Sequence, residues 1–312
     1  MMPFFSVIIP LYNKEHLIET TINSLLNQSF KDFEAIIVND GCTDNSLKKT
    51  EPLIDHRFKI INQKNHGASH ARNTGIKQAK GEYIALLDAD DFWYDNHLTE
   101  LEKLIKTFPE ASLFCNNYEI NYNEKFIMAA VFNFNYENRP LIIKDYFKGS
   151  IINSVAWTSS VSFKKETFYK IGKFNLDLRT GQDIDLWIRF ALHYSIAFNP
   201  KVTMTYNNFS SSNLSKSEYN NDRYNLISNY LIEERKDTSL KLYLDINRYA
   251  LALRSKMNNQ FELYQKLIKQ INYKNLNLKQ KILLKLPVPL LKFLKWFQIK
   301  LINKKIYLTA YK

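Results

Sequence analysis

Gly81-Glu-Tyr-Ile-Ala-Leu-Leu-Asp-Ala-Asp-Asp91 is the stretch on which the reading of this chain turns. Its apolar run, residues 83–87, has the unbroken hydrophobicity of a strand buried on both faces, and it stops at three acids, Asp88, Asp90 and Asp91. Carboxylates crowded at the end of a central strand repel one another and are costly to desolvate. A positive partner must offset them, and a hard divalent cation carrying phosphates suits that place. A strand running into a solvated acidic loop is the plainer alternative.

The residues upstream decide between these two readings. Residues 6–10 (Ser-Val-Ile-Ile-Pro) form a short β-branched run, and Leu17, Ile18, Thr21, Ile22, Leu25 and Leu26 follow at helical spacing. Strands are predicted over 33–38 and 58–62, and helices over 45–53, with Asp44 available as a cap, and over 68–79. Strand and helix alternate up to the strand at 83–87, which predicts an α/β fold with a parallel sheet and helices on its faces. Such sheets bind ligands beyond the carboxyl ends of their strands, where Tyr12, Asp40 and Asp88–Asp91 fall. A nucleotide-sized site is the expectation.

Composition narrows the class. Of 312 residues, 45% are hydrophobic and 24% charged, as in a globular protein. Cys42 and Cys115 offer neither metal-ligand spacing nor a disulfide framework, so a reducing compartment is expected. The start of the chain lacks a basic region and does not read as a signal peptide, and no uncharged run is long enough to span a bilayer. The net charge of +12 is concentrated at one end: residues 263–312 carry 12 Lys and no Arg, Asp or Glu, leaving 31 basic and 31 acidic residues in 1–262. A neutral body without a reading motif argues against nucleic acid as the partner. All seven glycines lie before residue 182, and the last 131 residues read as plain helix. Residues 116–138 read as strands and loops of undefined layout.

Five segments taken together resemble a known family. They are Ser6-Val-Ile-Ile-Pro-Leu-Tyr-Asn13, Val38-Asn-Asp-Gly-Cys-Thr-Asp44, Asn65-His-Gly-Ala-Ser-His-Ala-Arg-Asn-Thr-Gly75, Leu87-Asp-Ala-Asp-Asp91 and Gly181-Gln-Asp-Ile-Asp-Leu-Trp187. In this order they look like a family 2 glycosyltransferase of the inverting type, with a GT-A Rossmann-like sheet, over roughly residues 4–206. The resemblance implies a nucleotide-diphosphate sugar donor. Pro10 and Tyr12 would flank the base, Asp40 would accept from it, and Arg72 would contact the base or the diphosphate side. Asp88 would hold the ribose, and Asp90, in a DxD motif, would bind Mn²⁺ or Mg²⁺. Asp183 would be the catalytic base, with Trp157, Gln182 and Trp187 on the acceptor side. UDP is favoured among donors because Asp40 can accept from the imide N–H of uracil, as it can from that of thymine. The implied domains are 1–215, with a nucleotide-sugar half at 1–95 and an acceptor half at 96–215, and a helical, Lys-rich extension at 216–312.

Some residues depart from the family pattern. Cys42 stands where Ser is usual, Gln182 where Glu is usual, and Asn207-Asn-Phe209 where a basic residue often reaches the diphosphate. These departures leave room for a non-catalytic nucleotide-sugar-binding or scaffold protein of the same fold. A nucleotidyltransferase would need a glycine-rich loop after the first strand, and residues 11–17 contain no glycine. In the tail, Leu290, Phe293, Leu294, Phe297 and Leu301 form one helical stripe after Pro287 and Pro289. Packing against the catalytic domain would explain that stripe; so would an anionic membrane surface, which the acid-free Lys run favours. The expectation is a cytoplasmic enzyme, peripheral on the inner face of the plasma membrane, acting on a glycan or lipid-linked acceptor in bacterial surface polysaccharide or lipopolysaccharide assembly.

Overall fold

The computed structural model describes residues 2–123, 125–209 and 219–311. Strands β1 (Phe5–Leu11), β2 (Phe33–Asp40), β3 (Phe58–Gln63) and β4 (Tyr83–Leu86) lie side by side, all parallel, in the order β3-β2-β1-β4. They are joined through α1 (Ile18–Leu26), α2 (Ser46–Thr50) and α3 (Ala68–Gln78). The predicted alternation therefore holds, with boundaries shifted by a few residues at most in all but the shorter α2. The central strands β1, β2 and β4 carry continuous apolar runs because both of their faces are covered, with Val7, Ile8, Ile9, Ile36 and Ile37 fully buried, whereas the edge strand β3 is only half-buried. α3 sits unusually close to the sheet at Gly75, where a Cβ would come within 2.6 Å of Ile8 Cγ2 and 3.2 Å of Val38 Cγ2. Only glycine permits that approach.

The sheet continues beyond β4 through β9 (Val161–Lys164), β6 (Leu113–Asn123), β10 (Ile196–Asn207) and β5 (Phe92–Trp93). β9 is antiparallel to both β4 and β6, whereas β10 runs parallel to β6. The short strands β7 (Phe126–Ala129) and β8 (Leu141–Ile142) pair with β6 and β10. The undefined stretch 116–138 thus contains most of β6 and its hairpin partner. The helices of this half are α4 (His97–Thr107), α5 (Tyr146–Gly149), α6 (Lys165–Lys170) and α7 (Gln182–His193). β10 corrects the reading of the last 131 residues as plain helix. A glycine-free segment signals a lack of tight turns, and a long strand meets that condition as well as a helix does.

After residue 219 the chain is helical, in α8 (Asn220–Ser228), α9 (Thr238–Met257), α10 (Phe261–Gln270), α11 (Leu278–Lys285) and α12 (Val288–Asn303). α9 organises these helices around a buried charge network. Arg248 Nη1 donates to Glu234 (2.7 Å) and Asp245 (3.0 Å), and Lys241 Nζ donates to Asp245 (2.6 Å). The extension is seated on the sheet domain. Tyr230 Oη donates to Asp185 Oδ1 at 2.7 Å, and Phe147 meets Tyr243 with ring centroids 5.8 Å apart. One hydrophobic core runs from Phe5 to Leu284. α12 packs inward through Leu291, which is 5% exposed, while Leu290, Phe293, Leu294, Trp296, Phe297 and Ile299 are 37–54% exposed. The predicted stripe therefore faces solvent, not the domain.

Candidate functional site

Between β1 and β4 the strand order reverses, since β2 and β3 extend the sheet to one side of β1 and β4 returns on the other. Adjacent loops part at such a point and leave a crevice at the carboxyl ends. A cavity of 1120 Å³ opens there. Its lining includes Pro10, Tyr12, Asp40, Arg72, Asp88, Asp90, Trp157, Gln182 and Asp183, residues up to 173 positions apart in the chain. Trp187 is not among them. It is 1% exposed and packs against Phe163 and Phe190 with centroids 6.2 Å away, because α7 enters the core after its first turn. Its assignment to the acceptor side is corrected to a core role. Trp93, 1% exposed and donating from Nε1 to the Ser159 carbonyl at 2.6 Å, is a core aromatic.

Asp40, the last residue of β2, holds the neighbouring turn. Oδ1 accepts from Gln63 Nε2 (2.6 Å) and from the backbone N–H of His66 (3.0 Å), and Oδ2 accepts from Gly67 N–H (2.8 Å). A carboxylate offers about four acceptor positions, so one remains for a ligand N–H. Arg72, 5% exposed on α3, donates from Nη2 to Asp88 Oδ1 at 2.6 Å and lies 5.4 Å over the Phe174 ring. Burial opposes its charge, but Asp88, with Asp183 and Asp90 beyond it, more than restores it and raises its pKa. Its Nε and Nη1 are buried without a hydrogen-bond partner. Donors in that state are costly unless a ligand satisfies them.

The three acids after β4 do not converge. Asp88 faces Arg72. Asp90 Oδ2 accepts from Lys14 Nζ at 2.5 Å, in a pair whose side chains are 13% and 15% exposed. Asp91, 2% exposed, accepts from Ser159 Oγ (2.6 Å) and from Asn207 N–H (3.2 Å), bracing β4 against β10. Burial, then Asp90 and Asp88, push the Asp91 carboxyl well above the usual carboxylate range. Burial likewise raises Asp90, Lys14 lowers it, and Asp88 raises it again. Among the described residues no three metal-ligating side chains form a group. Part of the positive charge expected at this strand end comes from Lys14 and Arg72. Lys14 was not singled out in the sequence, because it lies 76 positions from Asp90 and no local pattern links them.

Asp183 lies in the first turn of α7, entered through Gly181 at φ 76°. Thr158 Oγ1 donates to its Oδ2 at 3.2 Å. The helix dipole favours an anion there. Beside it Gln182 is 5% exposed, and its Oε1 is buried without a partner. Trp157 lies 4.1 Å centroid to centroid from Tyr206, and both line the cavity. The extension contributes Tyr219 and Arg223 from around α8, and Asn247 and Arg254 from α9. No sequence pattern connects these residues to the site.

Comparison with known proteins agrees with this geometry. A family model described as "Glycosyl transferase family 2" matches residues 6–172, just over half of the chain. At 37% identity over 124 residues, the chain is similar to the Escherichia coli UDP-Glc:alpha-D-GlcNAc-diphosphoundecaprenol beta-1,3-glucosyltransferase WfgD, covering 39% of this chain and 48% of that protein. It is 49% identical over 94 residues to the uncharacterized glycosyltransferase EpsJ of Bacillus subtilis, over 30% of this chain and 27% of that one. The match thus spans less than half the length of these relatives. In structure it resembles S. aureus TarS 1–349 in complex with UDP-GlcNAc, with TM-score 0.67 and 19% identity, covering 96% of this chain and 89% of that one. At that identity the likeness shows the fold, which is the α/β GT-A-like sheet expected from the motifs. Five motifs gathered at one strand switch point, and a family model spanning four of them, place this chain in glycosyl transferase family 2.

Proposed function

We propose that this cleft moves a sugar from a nucleotide-diphosphate donor, UDP-linked by preference, to a hydroxyl of a glycan or lipid-linked acceptor, with inversion at the anomeric carbon. One observation carries the reading: a single cavity joins the carboxyl ends of β1, β2 and β4 to Asp183 on α7. Pro10 and Tyr12 flank the base, and Asp40 keeps one acceptor position for it. Asp88, turned towards Arg72, serves the ribose. Displacement of a nucleoside diphosphate builds negative charge on the leaving phosphates. Lys14 and the two unpartnered nitrogens of Arg72 are the chain's own donors for that charge. Asp183 takes the acceptor proton as the oxygen attacks, a contribution of about 10²- to 10⁴-fold. Gln182 Oε1 accepts from a second acceptor hydroxyl, and Trp157 offers a flat face to a sugar ring.

Asp90 is the residue that would hold Mn²⁺ or Mg²⁺. One carboxylate suffices for such an ion when phosphates and water complete its shell, so the residues fit provided Lys14 releases Asp90. The ion would supply further neutralisation of the leaving phosphates. We also place the protein on an anionic membrane surface through α12. Its apolar stripe is exposed, the tail is rich in Lys and free of acids, and no described helix is long and apolar enough to cross a membrane. Each well-placed Lys adds about 1 kcal/mol of attraction to anionic lipid.

The test is calorimetric titration of UDP and UDP-sugars, followed by transfer assays. Asp183→Asn keeps UDP affinity and loses transfer by at least about 10²-fold. Absence of any nucleoside diphosphate binding by the wild type overturns the reading. Binding without turnover on any donor moves the protein to the non-catalytic alternative.

A further inference from the structure

The helix that carries Asp183 does not secure its own start. α7 is entered through Gly181, at φ 76°, and no side chain caps its first N–H groups. An uncapped end frays, and a fraying first turn would carry Asp183 with it. The extension supplies the missing hold. Arg179, Thr180 and Gly181 each meet α8 in turn. Arg179 donates to Asp222 Oδ2 from its backbone N–H (3.1 Å) and from Nε (3.0 Å), and Arg223 Nη2 donates to Thr180 Oγ1 at 3.1 Å. At Gly181 an added Cβ would lie 2.9 Å from Leu226 Cδ1, so Leu226 packs on the bare backbone. Asp222, Arg223 and Leu226 share one side of α8.

The grip continues on the far side of Asp183. Tyr230 Oη donates to Asp185 Oδ1 at 2.7 Å. Asp185 also accepts from Arg189 Nη2 at 2.6 Å, and Arg189 Nη1 donates to the carbonyls of Ile171 and Gly172. Asp183 is therefore bracketed by two anchors from the extension, one at 179–181 and one at 185. The first is not an ordinary surface ion pair. Arg179 is 67% exposed, but the Asp222 side chain is only 9% exposed and also binds main chain. Hydrogen bonds from Arg179 outweigh the cost of burial and hold the Asp222 carboxyl below the usual carboxylate range. Both anchors lie after residue 172, where the match to the family model ends.

We propose that α8 and Tyr230 form a clasp that fixes Asp183 at the cleft, with Asp222 and Tyr230 as positioning residues for proton removal from the acceptor. This rests on the transfer reading above, and a readout independent of turnover accompanies it. A base acts only from within hydrogen-bond reach of its proton, and a misplacement of about 1 Å costs on the order of 10²-fold in rate. The donor end does not depend on the clasp, since Pro10, Tyr12, Asp40 and Arg72 stand on or beside β1, β2 and α3. Loosening the clasp therefore lowers kcat and leaves UDP affinity as it was.

Asp222→Asn and Tyr230→Phe are compared with the wild type and with Leu267→Ala, a control that opens a cavity at a fully buried position on α10 and keeps the clasp residues. Below the melting temperature of each protein, UDP affinity is measured by calorimetric titration. Turnover is read as UDP release from UDP-sugars, with water or a sugar as acceptor, and amide hydrogen exchange is followed over residues 178–186. In the two clasp variants exchange there speeds up by about 10- to 100-fold, the range for a charge-assisted hydrogen bond, and kcat falls by a similar factor. UDP affinity and donor KM keep their wild-type values. Leu267→Ala lowers the melting temperature but changes neither kcat nor exchange over 178–186. Unchanged exchange in both clasp variants overturns the proposal, as does faster exchange with unchanged kcat. So does a loss of kcat in Leu267→Ala that matches theirs, because the clasp would then be only a source of overall stability. Failure of the wild type to bind UDP or to turn over any UDP-sugar counts against the transfer reading, while the exchange comparison still decides whether the extension holds Asp183.

Discussion

Lys14→Met tests the charge balance at the strand end. The substitution keeps the aliphatic stem and removes the ammonium that pairs with Asp90 at 2.5 Å. Breaking a fully buried pair by removing one partner costs about 3–5 kcal/mol. Here the side chains are 15% and 13% exposed on the edge of a cleft, so water recovers part of the loss and about 2–3 kcal/mol is expected. At roughly 2–4 °C per kcal/mol, the melting temperature falls by about 4–12 °C. The second half of the prediction concerns cations. With its competitor removed, Asp90 is open to Mn²⁺ or Mg²⁺, so either ion raises the melting temperature of the variant more than that of the wild type. Thermal unfolding with and without each ion, in the absence of nucleotide, reads both effects. Equal melting temperatures and equal ion responses in the two proteins would refute the assignment of Lys14 as the resident counter-charge.

Three further outcomes are expected. Gly75→Ala forces a methyl to 2.6 Å from Ile8 Cγ2 at the closest helix–sheet approach, and urea denaturation should show a loss of about 1–3 kcal/mol. His97 is fully buried, stacked on Trp93 at 4.1 Å and hydrogen-bonded to Thr203 Oγ1 at 2.8 Å, and burial lowers its pKa from 6.5 to about 3. Its neutral form therefore contributes stability that is complete above pH 6.5 and lost as pH falls towards 3, with a slope of up to about 1.4 kcal/mol per unit. His97→Phe should flatten that part of the stability–pH curve, and an unchanged slope would assign acid sensitivity to other groups. Replacing Phe293, Trp296 and Phe297 by Glu should abolish sedimentation with vesicles containing anionic phospholipid while leaving the melting temperature near that of the wild type, since all three are exposed.

Much of the nucleotide half was legible in sequence. Residues 7–9, 35–38 and 83–87 are unbroken apolar runs because the central strands β1, β2 and β4 are buried, and the polar residues closing them fall at carboxyl ends by the geometry of a parallel sheet. Pro10, Tyr12, Asp40, Asp88 and Asp90 reach the cavity for that reason alone. Asp183 was legible only through the resemblance of the segment 181–187 to the family, and the structure places it in the first turn of α7. Trp187 carried the same motif signal as Asp183, yet one turn of helix takes it from the cleft into the core.

The sequence by itself determined the order of strands and helices as far as the fourth strand, the run of acids after it and the accumulation of Lys at one end, since these depend on local periodicity and on charges that can be counted along the chain. The tertiary structure alone decided that Lys14 neutralises Asp90, that Asp91 braces β10, that Arg223 and Arg254 complete the cleft, and that the α12 stripe faces outward. Each of these joins residues far apart in the chain, or depends on which face of an amphipathic helix meets the domain. Periodicity reveals that a helix has two faces; only packing selects the one that is buried.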